Sequence, residues 1–296
     1  MALPKLTTPT YELEIPSSDE KISYRPFLVK EEKILLMAME SNKNEEVIQA
    51  VKDIVSSCTF GKVNLGKMPM FDVEYIFLQI RSKSVGEVSK LKLLCPDDKK
   101  TYADVEINLD DVTVQVDEGH TNKIELTDDM GMIMTYPTID SFSKHGITTI
   151  SSKNMLDVIS TCVLQIYEKK GEVIHEAADQ TKKELNEFIE QLNTGQFRKL
   201  QKFFDTMPRL RHTVKVKNPK TKKESDNIKW TKRFFRIALS HDSLENYFTT
   251  NFSLMQHHKY SLSELEDMMP WEREIYITML VEHLEAEKKR QEEERS

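Results

Sequence analysis

The sequence is poor in the residues that build several common kinds of site. Its 296 residues include only eight glycines and three cysteines. Phosphate-cradling loops need glycine where backbone amides approach the ligand closely, so nucleotide chemistry has little raw material here. No P-loop, GxGxxG, GxSxG or HExxH pattern occurs. Cys58, Cys95 and Cys162 are odd in number and far apart, which argues against a disulfide framework and fits a reducing compartment. No run of eighteen apolar residues is present, so no membrane-spanning helix is expected. The opening MALPKLTTPTYELEIPSSDEK lacks the basic head and long apolar stretch of a secretory signal, and a soluble protein of the cytoplasm is the expectation. The formal net charge of -7 gives no global electrostatic reason to seek nucleic acid or an anionic membrane.

What is present is patterning. A chain that is 39% hydrophobic and 31% charged can bury one sizeable core or two smaller ones at this length, and two units are expected. TYELEI, PSSDE and KISYRPF read as a hairpin, because apolar and polar residues alternate on either side of turn chemistry. KEEKILLMAMES and NEEVIQAVKDIVSSC have helical periodicity, with Asn44 a candidate cap for the second. Pro69 opens a further helix in which Phe71, Tyr75, Ile76, Leu78 and Ile80 form a broad apolar stripe, the expected core helix.

From Val88 the period becomes two. VSKLKLLC, TYADVEINL, VTVQV, NKIEL and GMIMTYP are expected strands of a small antiparallel sheet. NMLDVISTCVLQIYEKKG is then expected as one helix closed by Gly171, followed by helices over TKKELNEFIEQLN and TGQFRKLQKFFDTMP and a hairpin over RLRHTVKVKNPKTKKESDNIKW. A boundary is placed near residues 218 to 229. The expected class is α+β: an N-terminal mixed domain over 1–224, with a small antiparallel sheet and packed helices, then an all-helical module with a charged tail over 225–296. In that module WTKRFFRIALS and DSLENYFTTNFSLMQHH are expected helices.

Three constellations bear on chemistry. Cys95 in LLCPDD stands where a zinc knuckle carries its first thiol, but Asp98 occupies the second position and neither other cysteine supplies a second knuckle. No metal is expected, although the turn itself could survive without one. His257 and His258 are adjacent, so on a helix they diverge by about 100° and cannot form an i, i+4 ligand pair. No cofactor is called for and no catalytic group stands out, so a non-enzymatic protein is the reading. The basic stretch PRLRHTVKVKNPKTKK, residues 208–223, could touch a nucleic-acid backbone, but it has no interleaved aromatic for base stacking, so nucleic-acid binding is only an alternative.

The strongest local signal lies in YSLSELEDMMPWEREIYITMLVEHL. Ser261 and Glu264 make a capping box, and Pro270 suits the first turn of the next helix. Trp271, Ile275, Tyr276, Met279, Leu280 and Leu284 then recur at helical spacing. The face either packs on FFRIAL and LENYFTTNFSLM as a local core or stays open for another protein, and both can hold at once. The six residues are the candidate partner-binding site.

MALPKLTTPTYELEIPSSDEKISYRPFLVKEEKILLMAMES, CTFGKVNLGKMPMFDVEYIFLQIRSKSVGE and FFDTMPRLRHTVKVKNPKT closely resemble the baseplate hub and hub-assembly proteins of T4-like contractile-tailed bacteriophages, over roughly residues 1–224. YRPFLVKEEK and MPMFD are the most specific strings. The resemblance implies a non-enzymatic role in building the tail baseplate hub, as a hub subunit or as a factor acting while the hub forms. The sequence beyond NPKT resembles the second part of a phage tail-assembly chaperone, a helical module that grips the tape-measure protein and is often added by translational frameshifting. Hub or tape-measure proteins are thus the implied partners, with self-association left open. The host cytoplasm during assembly, or the virion baseplate, is the implied location.

Overall fold

The computed structural model describes residues 8–41, 43–144, 155–230 and 243–295. The opening hairpin is formed by β1 (Tyr11–Glu14) and β2 (Lys21–Tyr24), antiparallel in the register Leu13↔Ile22. Two helices follow, α1 (Val29–Glu40) and α2 (Asn44–Cys58). Lys43, not Asn44, is the residue preceding the first turn of α2, and it makes no side-chain cap. Helix α3 (Met70–Val85) starts one residue after Pro69 and buries residues on nearly every side, among them Phe71, Val73, Ile76, Phe77, Leu78 and Ile80. Asp72, Arg81, Ser82 and Ser84 are buried along with them, so the helix is enclosed on most sides and α3 is the spine of the main core.

Around it pack β1, β2, α1, α2 and a second hairpin, β3 (Val88–Leu94) with β4 (Tyr102–Asn108). Strand β4 alternates strictly: Ala103, Val105 and Ile107 point inward while Tyr102, Asp104, Glu106 and Asn108 face solvent. Strand β5 (Thr113–Gln115) pairs with the first half of β10 (Arg209–Lys217), and β11 (Glu224–Trp230) takes the other edge of β10, so this antiparallel sheet runs β5-β10-β11.

A second apolar cluster lies under a four-stranded antiparallel meander, β6 (Lys123–Glu125), β7 (Met130–Met134), β8 (Val163–Glu168) and β9 (Val173–Glu176). Helices α5 (Met155–Thr161), α6 (Lys182–Glu190) and α7 (Thr194–Thr206) cover it, with Ile159, Leu185, Ile189, Leu200 and Phe203 buried against Met132, Met134 and Ile166. The short α4 (Ile139–Lys144) precedes α5. The long helix expected over 154–171 is corrected here, because it divides into α5 and β8. Val163 and Ile166 fit either a helical face or a buried strand when read locally. Pairing Met132↔Ile166 with β7 and Ile166↔His175 with β9 decides for the strand. Gly171 accordingly lies in the β8–β9 turn, next to Glu172 with φ 49°, and does not end a helix.

Tyr136 joins the two clusters, packing against both. Its ring stacks near Phe203 and His120, and its hydroxyl lies 3.0 Å from His120 Nε2, while Thr206 Oγ1 lies 2.9 Å from His120 Nδ1. Burial lowers the pKa of this histidine, with Asp117 opposing, so the neutral ring is favoured at the joint.

The C-terminal region is helical: α8 (Leu244–His258), α9 (Leu262–Glu266) and α10 (Pro270–Arg295). The charged end does not leave the helix, since α10 runs for 26 residues through EAEKKRQEEER. The helix expected over 230–240 falls, from residue 231 onward, outside the described residues.

Candidate protein-binding face

Helix α10 is positioned by its own N-terminal chemistry and by one buried ion pair. Ser261 Oγ accepts the Glu264 amide, and the Glu264 carboxylate accepts the Ser261 amide at 2.8 Å, which closes the capping box of α9. Leu265 and Met269 then turn inward. Pro270 opens α10, and Glu272 Oε2 accepts the Met269 amide at 2.9 Å, satisfying a donor at the helix start.

One turn in, Arg273 is 2% exposed and its Nη2 reaches Glu32 Oε2, itself 1% exposed, on α1 at 3.3 Å. Its guanidinium also lies over the Tyr247 ring of α8, 5.3 Å from the centroid. A small apolar cluster of Val29, Leu36 and Tyr247, flanked by Leu244 and Met268, completes the contact, and the Val29 amide donates to Met268 O at 2.8 Å. At the rim Lys30 pairs with Asp267 and Lys33 with Glu266. The helical region is thus seated on α1, with α10 also lying against α3.

This seating fixes which side of α10 faces out. Arg273 and the half-buried Leu280 lie on the inner side. Trp271, Ile275 and Met279, spaced by four, share one stripe roughly opposite Arg273, and Tyr276 borders it. Of the six candidate residues, Leu280 is half-buried and the other five are exposed, from 37% at Trp271 to 59% at Met279. Val281 is also exposed and went unnoticed in the sequence, as did Phe248, Phe252 and Met255 on α8. The same helical spacing would have found the last three, since Tyr247, Asn251 and Leu254 take the inner positions of that helix. FFRIAL, considered as one internal partner for α10, lies outside the described residues.

The basic stretch 208–223 spends its arginines inside the fold. Arg211 makes a bidentate pair with Asp117, and Arg209 Nη2 donates to the Phe204 and Asp205 carbonyls at the end of α7. Lys217 lies 3.5 Å from Glu224 across the hairpin. His257 and His258 sit in the last turn of α8 with ring centroids 6.4 Å apart, before Lys259 caps the helix at φ 61°. All three cysteines are buried and reduced, and burial raises the thiol pKa of Cys58 and Cys162 to about 12. Among the described residues no group of three or more His, Cys, Asp or Glu side chains converges as metal ligands would, and no helix is long and apolar enough to cross a membrane.

The molecule is therefore a mixed α/β protein whose C-terminal helical region shows apolar side chains to solvent. It belongs to the T4 bacteriophage base plate protein family, which matches residues 8–236 and stops short of α8, and it has a baseplate-related structural or assembly role. No curated protein and no solved structure matches the chain.

Proposed function

We propose that this protein is a non-enzymatic tail morphogenesis factor that works during assembly of the baseplate hub. It holds a hub or tape-measure protein on the outer face of α10, in the manner of a chaperone. The carrying observation is that Trp271, Ile275, Tyr276 and Met279 stay exposed on a helix beyond the family-matched region, with Leu284 exposed further along it. Covering such a face gains about 25 cal/mol for each Å² of apolar surface removed from water, before ordering costs. Rigid aromatic residues supply most of the energy in comparable interfaces, so Trp271 and Tyr276 carry the largest share. The factor acts in the host cytoplasm, where unassembled partners would otherwise expose apolar helices.

The test is co-purification from cells expressing the full chain with the phage's hub and tape-measure proteins. Trp271→Ala with Tyr276→Ala removes the partner from the eluate while leaving the body folded. Undiminished recovery of the partner overturns the reading. A second reading, a permanent subunit of the finished baseplate, is favoured by the family's description as a base plate protein. Mass spectrometry of purified particles separates the two, because stoichiometric peptides from residues 243–295 support the subunit. A doubled mass for the isolated chain would instead assign the face to a second copy.

A further inference from the structure

Three hairpin turns in this chain are built alike, although their sequences share little. In Ile15–Glu20, Cys95–Thr101 and Asn218–Lys223 the second residue is proline: Pro16, Pro96 and Pro219. In each, the fifth residue has a left-handed backbone, Asp19 at φ 55°, Lys99 at 52° and Lys222 at 61°. That residue's amide donates to the carbonyl of the first residue at 2.9, 3.0 and 2.9 Å, and the first residue's amide closes the turn by donating to Glu20, Thr101 or Lys223.

The first turn stands apart, but the other two face each other across more than 120 residues of sequence. Asp97 Oδ1 accepts from Asn218 Nδ2 at 2.8 Å, and Asp97 Oδ2 accepts from Thr221 Oγ1 at 2.5 Å. Cys95 and Asn218, the first residues of the two turns, are each 1% exposed. Asn218 Oδ1 accepts the amides of Lys220 and Thr221, and Asp98 accepts the amides of Lys100 and Thr101.

Paired turns with ligands at the first and fourth residues are how ribbon-type proteins hold zinc tetrahedrally with four thiolates. The corresponding positions here are Cys95, Asp98, Asn218 and Thr221. We infer that the turns of β3–β4 and β10–β11 form a zinc-ribbon-type knuckle pair in which a carboxylate clasp centred on Asp97 replaces the metal. The clasp makes the connection a metal would make, because one side chain of the first turn binds both ligand positions of the second. With one thiol among the four positions, the chain binds no zinc here. The second knuckle escaped the sequence reading because it contains neither cysteine nor histidine.

Two experiments on the full chain test this. In the first, Asp98→Cys, Asn218→Cys and Thr221→Cys are combined with the native Cys95, and Co²⁺ is titrated under reducing conditions. The expected result is uptake of one equivalent, with release of thiol protons, the visible absorption of a tetrahedral cobalt thiolate centre, displacement by Zn²⁺ and a raised unfolding midpoint. A variant that folds only with metal gives the same support. One that folds but takes up no stoichiometric tetrahedral cobalt, or fails to fold with metal present, overturns the inference.

In the second, Asp97→Ala raises amide exchange at least tenfold at Asn218 and Lys222, and leaves Ile15 and Asp19 of the unclasped turn unchanged. Equal change in both turns, or in neither, would show that the clasp does not join the knuckles.

Discussion

Helices α3 and α10 begin alike and end in opposite surroundings. Each starts at a proline, Pro69 before α3 and Pro270 in α10, and each carries a dense set of apolar residues at helical spacing. In α3, Ile76, Phe77, Leu78 and Ile80 are all buried. In α10 the inner contact is an arginine, and Ile275, Tyr276 and Met279 face solvent. Periodicity thus identifies a face to be covered but does not say whether the cover comes from the same chain. The sheets and helices around α3 supply its cover, whereas among the described residues α10 rests on α1, α3 and α8 along one side.

The contrast can be broken most forcefully from the α3 side. Phe77→Ala should cost about 3–5 kcal/mol, through lost burial and the cavity left behind. Met279→Ala on α10 should stay within about 0.5 kcal/mol of the parent. Chemical denaturation of the two variants measures both, and equal losses would mean that α10 is buried in solution. Arg273→Ala comes next, at about 3 kcal/mol, because it removes the arginine that pairs with buried Glu32 and packs over the Tyr247 ring. Its effect should centre on the helical region, with faster amide exchange in α8 and α10 than in α3. Ser261→Ala should cost about 1 kcal/mol by removing the capping-box oxygen, read as a small fall in the same unfolding midpoint.

Acidification should act on the body in two steps. His120 has a lowered pKa, so the unfolded chain takes up its proton first. Stability is complete above the ordinary histidine value of 6.5 and is lost as the pH falls through it toward the folded value. For Glu31, burial raises the pKa, but the Arg25 guanidinium, the Leu28 amide and the Ser57 hydroxyl outweigh it, and the net shift is downward. That contribution is present above the ordinary value of 4.5 and is lost as the pH falls below it. His120→Gln should flatten the first step and leave the second, as followed by thermal unfolding across the pH range.

Much of the fold could be read locally. The β1–β2 hairpin, α1, α2, α3, the alternation in β4, the helices α6 and α7 and the capping box of α9 follow from period and capping chemistry. YRPFLVKEEK also gains a physical meaning. Tyr24 and Phe27 enter the core, Arg25 forms a two-pronged pair with Glu31 at 2.7 and 2.8 Å, and Glu32 receives Arg273 from α10. In MPMFD, buried Asp72 accepts the Ser17 amide and ties α3 to the opening hairpin.

What escaped the sequence depended on distant partners. Strand β8 looks helical until β7 and β9 pair with it, and the Glu32–Arg273 contact joins positions more than 200 residues apart. The exposed side of α10 was readable as a face. Its openness was not, because nothing in the local pattern says that Arg273, rather than Trp271, turns inward.

The most direct measurement of the central claim places a photo-cross-linking side chain at Ile275 of the full-length protein during phage assembly. The account predicts a cross-link to a hub or tape-measure protein, and a far weaker one from the same group at an exposed site on the body such as Glu106. A cross-link only within the same chain, or none above that control, would contradict it.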